Sequence, residues 1–306
     1  MIELAVIGGG PAGLTAALYA ARAGRSVAVF EGSGFGGQIT LSPLVENYPG
    51  LGAVSGMELG DRMYAQAEAA GAELTFSGVQ RIERNTDGTF LLETEDGPVS
   101  ARAVIYAAGA KPRTLGLPGE EELVGRGVSY CALCDGPFFD GQGVAVAGGG
   151  NTAFQDALYL ADICRHVTLI HRRDSFRADP ILVAQAAERG NLTLLPSTVV
   201  EGLESAGGRL SGLMLRNTET GEASHLPVSA LFQAVGQLPE SRLAQALGVP
   251  VDEAGFIAAG ENCATPVPGV FAAGDIRAKG VRQLTTACAD GAVAALAACR
   301  ICSQRA

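Results

Sequence analysis

The chain has 306 residues, 42 of them glycine, with a formal net charge of −10 and a pI near 4.9. That length suits two domains, or one large α/β domain, with a proper core and no need of covalent staples. The acidity argues against nucleic acid or an anionic membrane as the main partner, though a local basic cluster can still hold a phosphate-bearing cofactor.

From the N-terminus, "ELAVI" (3–7) reads as a buried strand, followed by "GGGPAG". Gly8, Gly10 and Gly13 fall in G-x-G-x-x-G spacing, with Pro11 and Ala12 between them, and a helix of small residues follows to about Ala23. Gly24 ends that helix, and "SVAVFE" (26–31) is the next strand, closed by Glu31. The glycines permit a tight turn and close backbone approach to a pyrophosphate, the helix start offers free N–H groups, and the acid bonds a ribose hydroxyl. The stretch lacks the basic opening of a signal peptide, and no unbroken apolar run reaches the roughly 20 residues of a membrane span. A cytoplasmic protein is expected, and the odd count of seven cysteines speaks against a secreted disulfide framework.

"VIYAAGAKPR" (104–113) reads as a strand running into a small-residue turn at Ala108 and Gly109. Next comes "SYCALCDGPFF" (129–139), with Cys131, Cys134 and Asp135. The cysteines could be half of a zinc site, a staple or a redox pair. Zinc needs about four ligands, and no second pair lies at ribbon-like spacing.

The glycine pattern recurs at 143–177: a strand, then Gly148, Gly150 and Ala153 with Asn151 and Thr152 between, a helix, and a strand at 167–170. The closing acid is missing, and His171, Arg172, Arg173 and Arg177 stand in its place. An arginine fork binds a 2′-phosphate bidentately, so this second site should prefer NADPH to NADH. The first site, with its acid, should take FAD. "VFAAGDIR" (270–277) supports this, since Gly274 lets the backbone come close and Asp275 can bond a ribityl hydroxyl. An alanine-rich helix at about 287–300 ends with Cys299 and Cys302, read as small apolar residues near a frayed end; Cys164, Cys263 and Cys288 read as isolated core residues.

The expected fold is α/β, with two Rossmann-like, three-layer dinucleotide-binding domains, the NADPH domain inserted into a split FAD domain. The boundaries are 1–112 and 241–306 for FAD and 113–240 for NADPH, with Pro/Gly-bearing crossings at "AKPRTLGLPGEEE" and "GQLPESR".

Along essentially its whole length the chain resembles the low-molecular-weight bacterial thioredoxin reductases. The resemblance is carried by "GGGPAG", "FGGQ", "VENYPG", "CALCDG", "GGGNTA", "HRRDSFRA", "AAGD" and "RQLTTACADGA", in that order. It implies an FAD- and NADPH-dependent homodimer that reduces thioredoxin. By position, Cys134 is the sulfur beside the flavin, Cys131 attacks the partner's disulfide, and Asp135 manages the thiol protons. Gly36, Gly37 and Gln38, with Asn47, line the FAD, and Arg282, Gln283 and Leu284 sit near the flavin. Donor and acceptor must reach one flavin in turn, so the NADPH domain is expected to swing about the crossings.

Some positions depart from the family pattern. Gln155 and Asp156 stand where two acids are common, Pro137 stands where an aromatic residue is common, and "LPES" replaces Pro-Asn-Thr. Three alternatives keep the layout: a dithiol oxidase that passes electrons to oxygen, a ferredoxin-linked reductase and a non-catalytic NADPH-binding regulator. Asp135 and the arginines favour the reductase.

Overall fold

The computed structural model describes residues 1–304, which fall into two compact units. One comprises residues 1–111 together with the chain from 238 onward; the other is residues 112–237. The divisions lie one and three residues before those read from the sequence.

The first unit begins with β1 (Ile2–Ile7), α1 (Pro11–Arg22), β2 (Val27–Phe30), α2 (Gly56–Ala69) and β3 (Glu73–Thr75). Next come β4 (Val79–Arg84), β5 (Phe90–Thr94), β6 (Gly97–Tyr106) and β7 (Ala110–Pro112). Leu4, Ala5 and Val6 on β1 are wholly buried, as expected of a central parallel strand covered on both faces. β1 pairs in parallel with β2 and β6, and β2 with β3. The first half of β6 pairs antiparallel with β5, which pairs with β4.

The second unit contains β8 (Val128–Ser129), α3 (Ala132–Asp135), β9 (Gly143–Gly148), α4 (Asn151–Ile163), β10 (His166–Ile170), α5 (Pro180–Ala187) and β11 (Leu192–Leu195). These are followed by β12 (Thr198–Ala206), β13 (Arg209–Asn217), β14 (Ala223–Leu226) and β15 (Ala230–Ala234). Five strands form a parallel sheet in the order β11-β10-β9-β15-β8, and β12-β13-β14 form an antiparallel sheet. The apolar face of α4 (Ala153, Phe154, Ala157, Leu160) enters a core with Val144, Val146 and Leu169.

The chain returns through β16 (Gln237–Pro239), which pairs with β7, so the two crossings form one ribbon. α6 (Arg242–Ala246), β17 (Val270–Ala272) and α7 (Leu284–Gln304) complete the first unit. β17 pairs in parallel with the second half of β6, at Val104–Tyr106, so β6 carries a different neighbour along each half.

Small residues let α1 and α7 approach closely. A Cβ on Gly291 would lie 2.2 Å from the Ala12 carbonyl oxygen. α7 is also longer than the helix read from the sequence. By length and composition its stretch Leu284–Ser303 could cross a membrane, although no such stretch was expected. Asp290 and Arg300 interrupt its apolar run, and Ala294, Ala295 and Ala298 are buried in the core with α1. Cys299 and Cys302 are likewise buried in this helix, with Cys302 Sγ 3.6 Å from the Glu3 carbonyl oxygen, so the expected frayed end is a packed one.

Candidate functional site

In the first unit, Gly8 takes a left-handed φ of 105°, and a Cβ there would sit 2.4 Å from the Ala107 carbonyl oxygen. A Cβ on Gly13 would lie 1.9 Å from the Gly8 carbonyl oxygen. Both positions therefore need glycine for the strand to turn into α1. Gly10 caps α1 without a side-chain acceptor, and Pro11 follows at the first helical position. The first-turn N–H groups thus face outward, the arrangement that holds a phosphate. Glu31 lies at the mouth of the turn, its Oε2 accepting from Gly9 N–H at 2.7 Å and its Oε1 from Ser33 N–H at 2.7 Å. Oε1 also accepts Gly34 N–H at 3.2 Å, so Oε2 is the oxygen that retains a lone pair for a ribose hydroxyl.

The "FGGQ" loop lies against this turn. Gly36 N–H donates to the Gly9 carbonyl at 2.9 Å, and a Cβ on Gly37 would come within 3.0 Å of Gly10 Cα. Gln38 is exposed in the short 3-10 helix Gly37–Leu41, and Asn47 is exposed in a loop closed by the Val45–Val54 bridge. Ala108 and Gly109 follow β6 directly.

Past β17, Gly274 and Asp275 form a 3-10 turn with Ile276. Asp275 Oδ1 is buried without a hydrogen bond, with the Lys279 ammonium 3.5 Å away. Burial pushes its carboxyl above the ordinary range, partly offset by Lys279 and Arg282. Asp290, which the sequence reading passed over, holds this turn in place. Its Oδ2 accepts from Gly274 N–H at 3.1 Å and Lys279 Nζ at 3.0 Å, and its Oδ1 from Arg277 at 2.5 Å. Arg282 stacks 3.9 Å over the Phe256 ring and donates to the Asp275 carbonyl at 3.3 Å. Gln283 and Leu284 lie at the start of α7. A phosphate-ready helix start, a ribose-ready acid and an orphaned buried carboxylate oxygen that needs a hydroxyl donor all fit FAD.

In the second unit, a Cβ on Gly148 would meet Ala153 Cβ at 2.6 Å, so the alanine that replaces the third glycine requires glycine at 148. Gly150 caps α4 with no side-chain acceptor, and Asn151 and Thr152 are exposed at the helix start. Asn151 ties the following loop to this turn, since its Oδ1 accepts Asp179 N–H at 2.8 Å and Arg177 N–H donates to the Gly149 carbonyl at 2.8 Å. Arg172, Arg173 and Arg177 are all exposed on that loop.

His171 does not join them. Its ring is 7% exposed and lies under the turn, where a Cβ on Gly149 would fall 2.2 Å from Nδ1. Burial, together with the neighbouring arginines, holds it below the ordinary histidine range, and Nε2 has no hydrogen-bond partner. Its place in a cationic run suggested an NADPH contact; in the folded chain the ring packs beneath the fingerprint turn rather than standing exposed with the arginines. The exposed arginines fit the 2′-phosphate of NADPH.

Cys131 and Cys134 are joined by a disulfide, with their Cα atoms 5.3 Å apart. Cys131 caps α3, and its Sγ accepts Cys134 N–H at 3.2 Å. Asp135 ends α3, and Gly136 seats the helix on α4, because a Cβ there would meet Leu160 at 2.9 Å. Burial raises the Asp135 carboxyl above the ordinary range, partly offset by the Ser129 hydroxyl, which donates to Oδ2 at 2.6 Å. Pro137 is accommodated in the 3-10 helix Gly136–Phe139. Ser129 was not singled out from the sequence; its signal was a small polar residue on a buried strand just ahead of the pair. Among the described residues no cluster of ligands could hold a metal, and the other five cysteines are free and buried.

Residues 2–291 match the family model described as pyridine nucleotide-disulphide oxidoreductase. The chain is 41% identical to a thioredoxin reductase of Bacillus subtilis, across 96% of this chain and 92% of that one. It is 44% identical to a bifunctional thioredoxin reductase/thioredoxin of Mycobacterium leprae, covering 99% of this chain but only 66% of the longer protein. A solved thioredoxin reductase of Streptococcus pyogenes superposes with a TM-score of 0.94 at 40% identity, covering 99% of each chain.

Proposed function

The chain belongs to the pyridine nucleotide-disulphide oxidoreductase family, and on that premise we propose that it is an NADPH-dependent, FAD-containing reductase of thioredoxin. The observation that carries this reading is the Cys131–Cys134 disulfide with the half-buried Asp135, its carboxyl raised by burial, beside it.

In the first unit, the α1 start with Gly8, Gly10 and Gly13, the Glu31 carboxylate and the turn bearing Asp275 would hold FAD. Gly36, Gly37, Gln38, Asn47, Ala108, Gly109, Arg282, Gln283 and Leu284 complete that set. In the second unit, Gly148, Gly150 and the α4 start would hold the NADPH pyrophosphate, and Arg172, Arg173 and Arg177 its 2′-phosphate. Bound FAD supplies a two-electron carrier between nicotinamide and disulfide. By the family resemblance Cys134 would be the sulfur beside the flavin, Cys131 would attack the thioredoxin disulfide as a thiolate, and Asp135 would hold and return the thiol proton. The cofactor sets belong to different units, so turnover includes rotation about the β7 and β16 crossings. A covalent lock between the units should stop turnover while FAD stays bound; unchanged turnover would refute the rotation.

The enzyme is a cytoplasmic homodimer in this reading. Five free, buried cysteines are consistent with a reducing compartment. The face between α1, α2 and α7, with a cavity of about 440 Å³ lined in part by Leu14, Tyr48, Met63 and Cys288, is where we would look for the second copy. Exposed Tyr19 and Leu296 extend it. Light scattering of the holoenzyme tests the dimer, and a monomer at working concentration contradicts it.

The test of the function is anaerobic consumption of NADPH by the purified flavoprotein in the presence of thioredoxin and a dye disulfide. Turnover lost in Cys134→Ser supports the reading. Turnover that needs oxygen and ignores thioredoxin would instead support the dithiol oxidase.

A further inference from the structure

Ser129 Oγ makes three contacts around the disulfide. It lies 2.6 Å from Asp135 Oδ2, accepts Cys131 N–H at 3.1 Å, and stands 3.4 Å from the Cys131 carbonyl oxygen. The residue is 4% exposed, so water does not compete for these bonds. A hydroxyl has one hydrogen to give and two lone pairs, and here it has two acceptors to choose between.

We propose that Ser129 is a positioning residue for the disulfide chemistry: its hydroxyl hydrogen turns between the Asp135 carboxylate and the Cys131 carbonyl, holding Asp135 in one place in both of its protonation states. This rests on the disulfide-reductase reading above. With Asp135 ionised, Ser129 donates to Oδ2 and accepts Cys131 N–H. With Asp135 protonated, the acid O–H donates to Ser129 Oγ, Cys131 N–H still donates to it, and the serine hydrogen turns to the Cys131 carbonyl. Neither state leaves the Ser129 hydroxyl or the Cys131 N–H without a partner, so the cost that remains is the burial of the ionised carboxylate, which the Ser129 hydroxyl partly offsets.

Two electrons delivered by the reductase reaction break the Cys131–Cys134 bond. The Cys134 sulfur takes a proton from Asp135, which becomes a carboxylate, while Cys131 remains a thiolate. The Cys131 sulfur then bonds to one sulfur of the partner disulfide, and the other partner sulfur leaves as a thiolate. Asp135 takes the proton back from the Cys134 thiol as that sulfur closes on Cys131, releasing the second partner thiolate. The partner disulfide has gained two electrons, and Asp135 has regained its starting proton.

Other charged or titratable groups on the surrounding elements are few. Asp140 follows the 3-10 helix, Tyr130 precedes Cys131, and α4 carries Asp156, Tyr159 and Asp162. Tyr130 is engaged with Glu120, and Asp162 is paired with Arg189. The influences resolved on Asp135 are burial and the Ser129 hydroxyl.

The test compares Ser129→Ala and Ser129→Thr holoenzymes with wild type, using a dye disulfide as substrate across the acidic to neutral range. Isotope-edited infrared titration of the Asp135 carboxyl in the oxidised, resting protein gives a readout that needs no turnover. Ser129→Ala should lose roughly tenfold in kcat at neutral pH, the worth of one hydrogen bond to a charged group. Both the rate limb and the carboxyl titration should move to higher pH, because the donor favouring the ionised acid is gone. Ser129→Thr keeps the hydroxyl and should keep the wild-type profile. In an Asp135→Asn background, Ser129→Ala should have no further effect. An unshifted carboxyl titration, or a loss that adds in full to that of Asp135→Asn, overturns the proposal. If Ser129→Ala does not fold, Ser129→Cys, a much weaker donor of similar size, must show the same shift, and a wild-type profile there overturns it equally. A wild-type protein whose disulfide NADPH cannot open refutes the reductase reading itself, a result separate from any of these.

Discussion

The Tyr106 hydroxyl donates to the Glu240 carbonyl at 2.7 Å, joining residues 134 positions apart. The bond fastens the end of β6 to the segment where the chain re-enters the first unit, a join reinforced by Glu240 N–H donating to the Gly109 carbonyl at 3.2 Å. Burial pushes the Tyr106 hydroxyl up to about 12, so the bond persists at any ordinary pH. Tyr106→Phe should therefore cost about 1 kcal/mol. Chemical denaturation followed by a probe in the first unit checks this, and the loss should be the same at neutral and mildly alkaline pH.

Gly13→Ala places a methyl 1.9 Å from the Gly8 carbonyl oxygen, a contact only backbone movement can relieve. The turn that presents the α1 start would deform. The variant should be purified colourless or with little flavin, read from visible absorbance after gel filtration. Gly52→Ala, whose Cβ would meet nothing within 4 Å, is the control and should keep its flavin; equal flavin loss in both variants would contradict the account.

Under the proposed function the arginine cluster would set coenzyme choice. Removing one of Arg172, Arg173 or Arg177 should lower kcat/KM for NADPH by roughly ten- to hundredfold, the range for a lost hydrogen bond between charged groups. The value for NADH should stay the same. Steady-state kinetics with both coenzymes decide the matter, and equal losses for the two would remove the 2′-phosphate from the account.

Asp156 gives a pH-dependent stability with a definite sign. Burial pushes its carboxyl from the ordinary 3.8 up to about 6. The folded state therefore holds this proton more tightly than the unfolded state. Stability is fully present below the lower value and falls as pH rises through the window to about 6, where the buried charge forms. Asp156→Asn should stabilise the protein above that window by no more than about 3 kcal/mol. The gain should shrink on acidification and vanish near the ordinary value. Denaturation midpoints over that range test this; a difference that does not vary with pH would contradict it.

The dinucleotide turns were legible in the sequence because the constraint is local. A Cβ at Gly13 collides with the Gly8 carbonyl, and one at Gly148 with Ala153, contacts that the strand-turn-helix unit itself brings together. The disulfide pair was legible for the same reason, being three positions apart on one short helix. The charge class of His171 was visible in the sequence, and its burial under Gly149 was not. Ser129 and Asp290 were missed because their roles depend on partners that only the folded chain brings together. β8 sets the serine beside Asp135, and α7 sets Asp290 against the turn of Gly274. Cys299 and Cys302 read as a frayed end because nothing local reveals that β1 and α1 cover the last turns of α7.

The central claim is that electrons from NADPH end on the sulfurs of Cys131 and Cys134. The most direct measurement is anaerobic treatment of the holoenzyme with NADPH, followed by alkylation and mass-spectrometric mapping under native conditions. The account predicts label on Cys131 and Cys134 that is absent without NADPH, with the five buried cysteines unlabelled in both samples. Flavin that bleaches while the Cys131–Cys134 bond stays closed would contradict it.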